Sequence, residues 1–255
     1  MLQLEHPYTL GSMSYLALTY SKQGKYDKAE QLQLKVLELH KKVLGPEHPD
    51  TLTSMFHLAK IYSNQGKYEE AGGLQLKVLG LRKKVLGLEH PHTLVSMSHV
   101  AATYSNQGEY EKAEQLQLMA LDLHKKVLGP EHPDTLTSMS HLAKTYSNKK
   151  TYEEAQQLQL KVLDLCKKVL GPEHPETFYS MANLAATCSA QGKYKEAEKL
   201  QLMALDLHKK VLGPENPHTL ANMSNLAIIY ANQGKHNEAE KLQREIHTTQ
   251  ETAHK

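Results

Sequence analysis

The sequence predicts an all-α protein: a right-handed α-solenoid of six antiparallel helix–turn–helix repeats. Three observations lead there. His-Pro recurs at His6-Pro7, His48-Pro49, His90-Pro91, His132-Pro133 and His174-Pro175, then as Asn216-Pro217, each 42 residues after the last. The text between these marks barely changes, as LGPEHPDTLTSMFHLAKIYSNQGKYEEA from Leu44 and LGPEHPDTLTSMSHLAKTYSNKKTYEEA from Leu128 illustrate. Apolar residues within each unit fall at helical steps of three or four. A fixed period of about 20 to 50 residues marks a stacked array, in which each unit hides its apolar face against its neighbours.

The second unit shows each element in order. Pro49 suits the first turn of a helix, where its missing N–H would be unpaired anyway, and Asp50 complements the positive helix end. Leu52, Met55, Leu58, Ala59 and Tyr62 then make one helical face, and Gly66 can take the left-handed conformation that stops it. Tyr68, Ala71, Leu74, Val78, Leu81 and Val85 form the stripe of a second, longer helix, ended by Lys83-Lys84 and Gly87. Alanine recurs on both helices, from Ala17 to Ala227 and from Ala29 to Ala239, where a methyl group lets helix axes approach closely.

Applied along the chain, the pattern gives a single array over 1–247, with repeats near 6–47, 48–89, 90–131, 132–173, 174–215 and 216–247, and a polar tail at 248–255. Leu2-Gln3-Leu4-Glu5-His6 echoes Leu86-Gly87-Leu88-Glu89-His90 without a preceding long helix, so the chain reads as a piece of a larger repeat protein. Gly72, Gly73 and Gly80 in one helix, and Lys149-Lys150-Thr151 in place of Gln-Gly-Lys, are the expected weak points.

Composition narrows the function. A formal net charge of +2 marks neither a nucleic-acid binder nor an acid-tailed protein, and no run of 18 apolar residues exists to span a membrane. Cys166 and Cys188 are isolated substitutions in their repeats, read as free thiols of a reducing, cytoplasmic setting. His48, His90, His132 and His174 come from successive units, roughly 10 Å apart by helix packing, whereas zinc needs every ligand about 2 Å from one ion. No metal or cofactor is expected. Ser54, Ser96, Ser138 and Ser180 repeat with their surroundings, which is the behaviour of scaffold, and no nucleophile elbow or Cys-His arrangement occurs. No enzymatic activity is expected either. The paired lysines, from Lys41-Lys42 to Lys209-Lys210, are expected to cap helix ends and to be partly neutralised by acids three or four positions earlier, such as Glu38 and Asp122.

The order Leu58-Ala59, Tyr62, Gly66, Tyr68, Ala71 resembles the tetratricopeptide repeat. The longer second helix and the LGPEHPDT connector look like its 42-residue form, found in kinesin light chains, in nephrocystin-like proteins and in the arrays of NB-ARC signalling ATPases. One departure stands out. The family usually places a bulky residue four positions after the second-helix alanine, where this chain has Gln33, Gln75, Gln117, Gln159 and Gln201, each between two leucines that are expected to carry the packing instead. The resemblance implies a non-catalytic scaffold that binds peptide segments along a concave groove lined by the first helices. Alternatives are a cargo adaptor like a kinesin light chain and a detached sensor array of a signalling ATPase, although no coiled-coil heptads and no phosphate loop accompany the repeats.

Carrying the family's groove positions over gives three rows. The row before Leu-Ala holds His57, His99, His141, Asn183 and Asn225; the row one turn on holds Lys60 and Lys144; the third holds Asn64, Asn106, Asn148 and Asn232. Asparagine can donate and accept at once, as a peptide backbone requires, and the lysines favour acidic side chains or a terminal carboxylate. Phe56, Phe178 and Tyr179 break the pattern with large rings and are candidate aromatic anchors. The expected partner is therefore a protein or peptide with acidic character, with no nucleic acid and no membrane, and near-identical units leave room for end-to-end self-association.

Overall fold

The computed structural model describes residues 5–253. Among them are twelve helices and no strand: α1 (Pro7–Lys22), α2 (Tyr26–Leu44), α3 (Pro49–Asn64), α4 (Tyr68–Leu86), α5 (Pro91–Asn106), α6 (Tyr110–Leu128), α7 (Pro133–Asn148), α8 (Tyr152–Val169), α9 (Pro175–Ala190), α10 (Tyr194–Leu212), α11 (Pro217–Asn232) and α12 (His236–Ala253). Residues 2–4 of the N-terminal echo, and 254–255 of the polar tail, lie outside the described residues. The tail from Thr248 continues α12 as helix as far as Ala253. The helices fall into two units, Met1–Val127 and Leu128–Lys255, each holding three hairpins in tandem.

The connectors are closed by two recurring hydrogen bonds. His48 is the N-cap of α3, and its Nδ1 accepts the Asp50 N–H at 3.2 Å; His6, His90, His132 and His174 repeat the bond. Asn216 replaces histidine in the last repeat because its Oδ1 accepts the His218 N–H in the same way, at 2.9 Å. Thr51 donates to the Gly45 carbonyl at 2.7 Å, as do Thr93, Thr135, Thr177 and Thr219 to their own glycines. The histidines thus cap helices, satisfying N–H groups that would otherwise be orphaned.

The turn inside each hairpin needs a left-handed residue. Gly66 supplies it with φ 81°, and the Lys67 N–H reaches back to the Tyr62 carbonyl at 2.9 Å. At the fourth repeat Lys150 takes φ 66° and the Thr151 N–H still bonds the Tyr146 carbonyl at 3.0 Å. The turn survives without its glycine, with a lysine held in a strained conformation.

Within each unit the core lies where a second helix, the next first helix and that helix's own partner meet. Leu37 of α2, Leu52, Met55 and Leu58 of α3 and Val78 of α4 form one such cluster; Leu205 of α10 and Met223 and Leu226 of α11 form another, with Leu242 and Ile246 of α12 against it. The recurring alanines are buried in every repeat. Leu16 is 45% exposed, whereas its counterparts Leu58, Leu142, Leu184 and Leu226 are buried.

Two expectations about packing are corrected. Of the leucines flanking each glutamine, only the preceding one packs, as Leu74 and Leu116 do; Leu34, Leu76, Leu118, Leu160 and Leu202 are exposed, and the glutamines themselves are buried. Gln33 is held by polar contacts, accepting from Ser14 Oγ of α1 at 3.0 Å and donating to the Ser54 carbonyl of α3 at 3.0 Å. The second lysine of each pair meets an acid of the segment that enters its own hairpin. Lys42 pairs with Glu5, Lys84 with Glu47, Lys126 with Glu89, Lys168 with Glu131 and Lys210 with Glu173, each a residue of the preceding connector. Within one helix, Asp122 reaches Lys125 at 4.0 Å. Exposed pairs of this kind contribute little each, about 0–1 kcal/mol, and each ties the entry of a hairpin to the end of its second helix.

Candidate functional site

In the first unit α1 touches α3, and in the second α7 touches α9 and α9 touches α11, so residues of adjacent first helices share a face within each unit. The three predicted rows lie on it. Lys60, Asn64, Asn106, His141, Lys144, Asn148, Asn183, Asn225 and Asn232 are exposed; His57, His99, Phe56 and Tyr179 are half-buried.

The structure separates these residues by what they already hold. Asn64 donates to Ser21 Oγ at 2.9 Å, and His57 Nδ1 lies 2.9 Å from Ser14 Oγ, so both tie α3 to α1. Burial, with Lys60 and Arg82 beside it, pushes the His57 pKa down to about 4; the ring is neutral at physiological pH and acts there as a hydrogen-bonding group, not a cation. Phe178 is 0% exposed and belongs to the α9 core, so it presents no ring to a ligand. Tyr179 packs edge-on against His208 at 5.3 Å and His218 at 5.5 Å, toward the following repeat.

Below this face runs a second periodic contact that the sequence did not reveal. His40 Nδ1 meets Ser54 Oγ at 2.7 Å, Ser180 donates to Cys166 Sγ at 3.7 Å, and Asn222 Nδ2 lies 3.1 Å from His208 Nδ1. Each joins a second helix to the next first helix. Arg82 occupies the same place in the second repeat and is only 2% exposed. Its guanidinium donates to the His92 carbonyl at 2.9 Å and Ser96 Oγ at 2.8 Å, with Phe56 covering it and meeting His99 edge-on at 4.7 Å. Burial alone lowers its pKa to about 10.

Three predicted residues converge. Lys144 and Asn148 of α7 and Asn183 of α9 line a cleft of about 360 Å³ in the second unit, with Ser140, Ser147, Tyr152, Gln159, Val162, Ala186, Thr187 and Ala190. The cleft opens because Ala186 and Ala190 stand where Lys144 or Ile228 and Asn148 or Asn232 stand in neighbouring repeats. Gln159 reaches it from the second-helix layer and was not foreseen as a site residue, although a polar residue between two leucines at every period was its signal. In the first unit a smaller cleft of about 250 Å³ lies at Gly72 and Gly73, where the helix lacks side chains.

Among the described residues no three histidine, cysteine or acidic side chains come together to hold a metal, and no helix is long and apolar enough to cross a membrane. Cys166 and Cys188 are free and buried, and burial raises the Cys188 thiol to about 11.

Tetratricopeptide repeat family models match residues 8–84, 146–210 and 180–251, and residues 93–134. No curated protein sequence matches the chain. Among solved structures, a kinesin light chain array of nearly identical TPR-like repeats from Podosopora anserina is 32% identical, covering 80% of this chain and 97% of its own, with a TM-score of 0.69. A single-substitution form of that array is 30% identical, covering 83% of this chain and 99% of its own, at 0.71. The quorum sensor NprR, in complex with its cognate peptide NprX, is 18% identical and covers 95% of this chain and 66% of its own at a TM-score of 0.65. The signal transduction ATPase PH0952 from Pyrococcus horikoshii, which has a tetratricopeptide repeat sensor, is 20% identical, covering 94% of this chain and 36% of its own, at 0.67. At these lower identities the last two show the fold alone.

Proposed function

Because the chain belongs to the tetratricopeptide repeat family, in the subtype similar to kinesin light chains, we propose that it is a non-catalytic scaffold binding a peptide segment along its first-helix face. The observation that carries this reading is the cleft in the second unit, where Lys144, Asn148 and Asn183 converge from two first helices. Exposed asparagines supply paired donors and acceptors for a backbone, and Lys60 and Lys144 add attraction for acidic groups. NprR, with the same fold, holds a peptide. The two free, buried thiols suit a reducing, cytoplasmic setting.

Likeness to the Podosopora arrays favours one further reading within the same class, an adaptor that links cargo to a motor. Selection of binders from a displayed peptide library tests the proposal. Substituting Lys144, Asn183 and Asn225 together by alanine should weaken selected peptides at least tenfold; affinities unchanged by the triple substitution would refute it.

A further inference from the structure

The cleft between α7, α8 and α9 has an unmatched acceptor at its floor. Gln159 is only 6% exposed, and its Oε1 has no hydrogen-bond partner. In two other repeats the chain supplies the donor itself: Ser14 bonds Gln33 Oε1 at 3.0 Å, and Thr103 bonds Gln75 Oε1 at 2.7 Å, whereas Gln117 Oε1 of the third repeat is unmatched as well. The corresponding residues around Gln159 are Ser140 and Thr187, and both are engaged elsewhere. Ser140 donates to the Leu136 carbonyl at 3.0 Å, and Thr187 shares a 2.8 Å hydrogen bond with Ser147. A deeply buried acceptor without a donor is costly, and Gln159 is the one of these glutamines that lines the space between α7, α8 and α9, which is large enough for a side chain.

The rim has the opposite polarity. Lys144 offers an ammonium and Asn183 an amide, both exposed, while Val162, Ala186 and Ala190 supply apolar surface. A ligand group that satisfies the whole cleft must donate at the floor and accept at the rim. A carboxylate suits Lys144 but sets negative charge against Gln159 Oε1, and an ammonium does the reverse. A primary carboxamide does both with one planar group.

We propose that this cleft recognises the side-chain carboxamide of a glutamine or asparagine in the bound peptide. Its N–H donates to Gln159 Oε1, and its C=O accepts from Lys144 or Asn183. This rests on the groove reading above and adds the residue type that the second unit selects. Discrimination of this kind is strong in principle, because the wrong side chain leaves a buried polar group unpaired.

Amide chemical shifts of the full chain, titrated with acetylated and amidated Ala-Ala-X-Ala-Ala peptides in which X is Gln, Glu, Lys or Leu, test the assignment. Acetylglutamine amide is added to separate the side chain from its peptide setting. The Gln peptide should bind at least five times more tightly than the other three and more tightly than acetylglutamine amide, with perturbations centred on residues 140–190. Gln159→Leu should abolish that preference, and Gln159→Glu should transfer it to the Lys peptide. Ala186→Leu, on an exposed helix position, should block all binding in the cleft without touching its floor. Equal affinity for the four peptides, or a preference for Glu, overturns the carboxamide assignment while leaving groove binding intact. Absence of perturbation by any peptide overturns both for this unit.

Discussion

The guanidinium of Arg82 lies 4.9 Å from the centre of the Phe56 ring, and these two residues are departures from the repeat that meet in space. Elsewhere position 82 is His40, His124, Cys166 or His208, and position 56 is Ser14, Ser98, Ser140, Ala182 or Ser224. A buried cation without a carboxylate partner is expensive, and the ring face offsets part of that cost. Phe56→Ser and Arg82→His should therefore be coupled. In a double-mutant cycle by urea denaturation, Phe56→Ser alone should destabilise by about 3 kcal/mol and by about 1 kcal/mol less once Arg82 is histidine. Strict additivity would contradict the pairing.

Lys150 is held at φ 66°, where the equivalent residues are Gly24, Gly66, Gly108, Gly192 and Gly234. Lys150→Gly should stabilise the second unit by about 1 kcal/mol by removing left-handed strain. Thermal unfolding reads the gain, and a lowered midpoint would show that the lysine is not strained.

Helix α4 carries Gly73 and Gly80 where a Cβ would meet nothing within 4 Å. Alanine at each should add about 0.5–1 kcal/mol and slow hydrogen exchange in α4. No change in exchange would mean that α4 is not weakened by its glycines.

Stability should depend on pH through His57. Its folded pKa is about 4 against about 6.5 unfolded, so the unfolded chain binds the proton more readily between those values. The neutral ring's contribution is complete above pH 6.5 and is lost as pH falls toward 4. His57→Asn, which borrows the residue of Asn183 and Asn225, should flatten this slope by about 2 kcal/mol over that interval. A profile identical to the parent would contradict the half-buried, neutral ring.

Much of this fold was legible because stacking repeats each signal five or six times. His-Pro, the turn glycines and the alanines announced caps, turns and close approaches, and the first helix of every repeat begins at its Pro as the pattern required. What remained hidden were contacts between elements far apart in the chain, made by residues with two possible neighbours. Lys42 has Glu38 four positions back, yet its partner Glu5 lies 37 positions back, at the entry of the same hairpin. The glutamine row read as a departure from bulk because its hydrogen bonds to Ser14, Ser54 and Thr103 exist only once helices are stacked. The site was legible as rows and not as a place: the short side chains of Ala186 and Ala190, together with an unmatched Gln159, decide where the cleft opens.

Amide hydrogen exchange of the chain with and without a selected peptide tests the central claim most directly. Backbone protection should rise at α7, α9 and α11 when peptide is added, while the outer turns of α8 and α10 stay unchanged. Protection confined to the second helices would contradict recognition along the first-helix face.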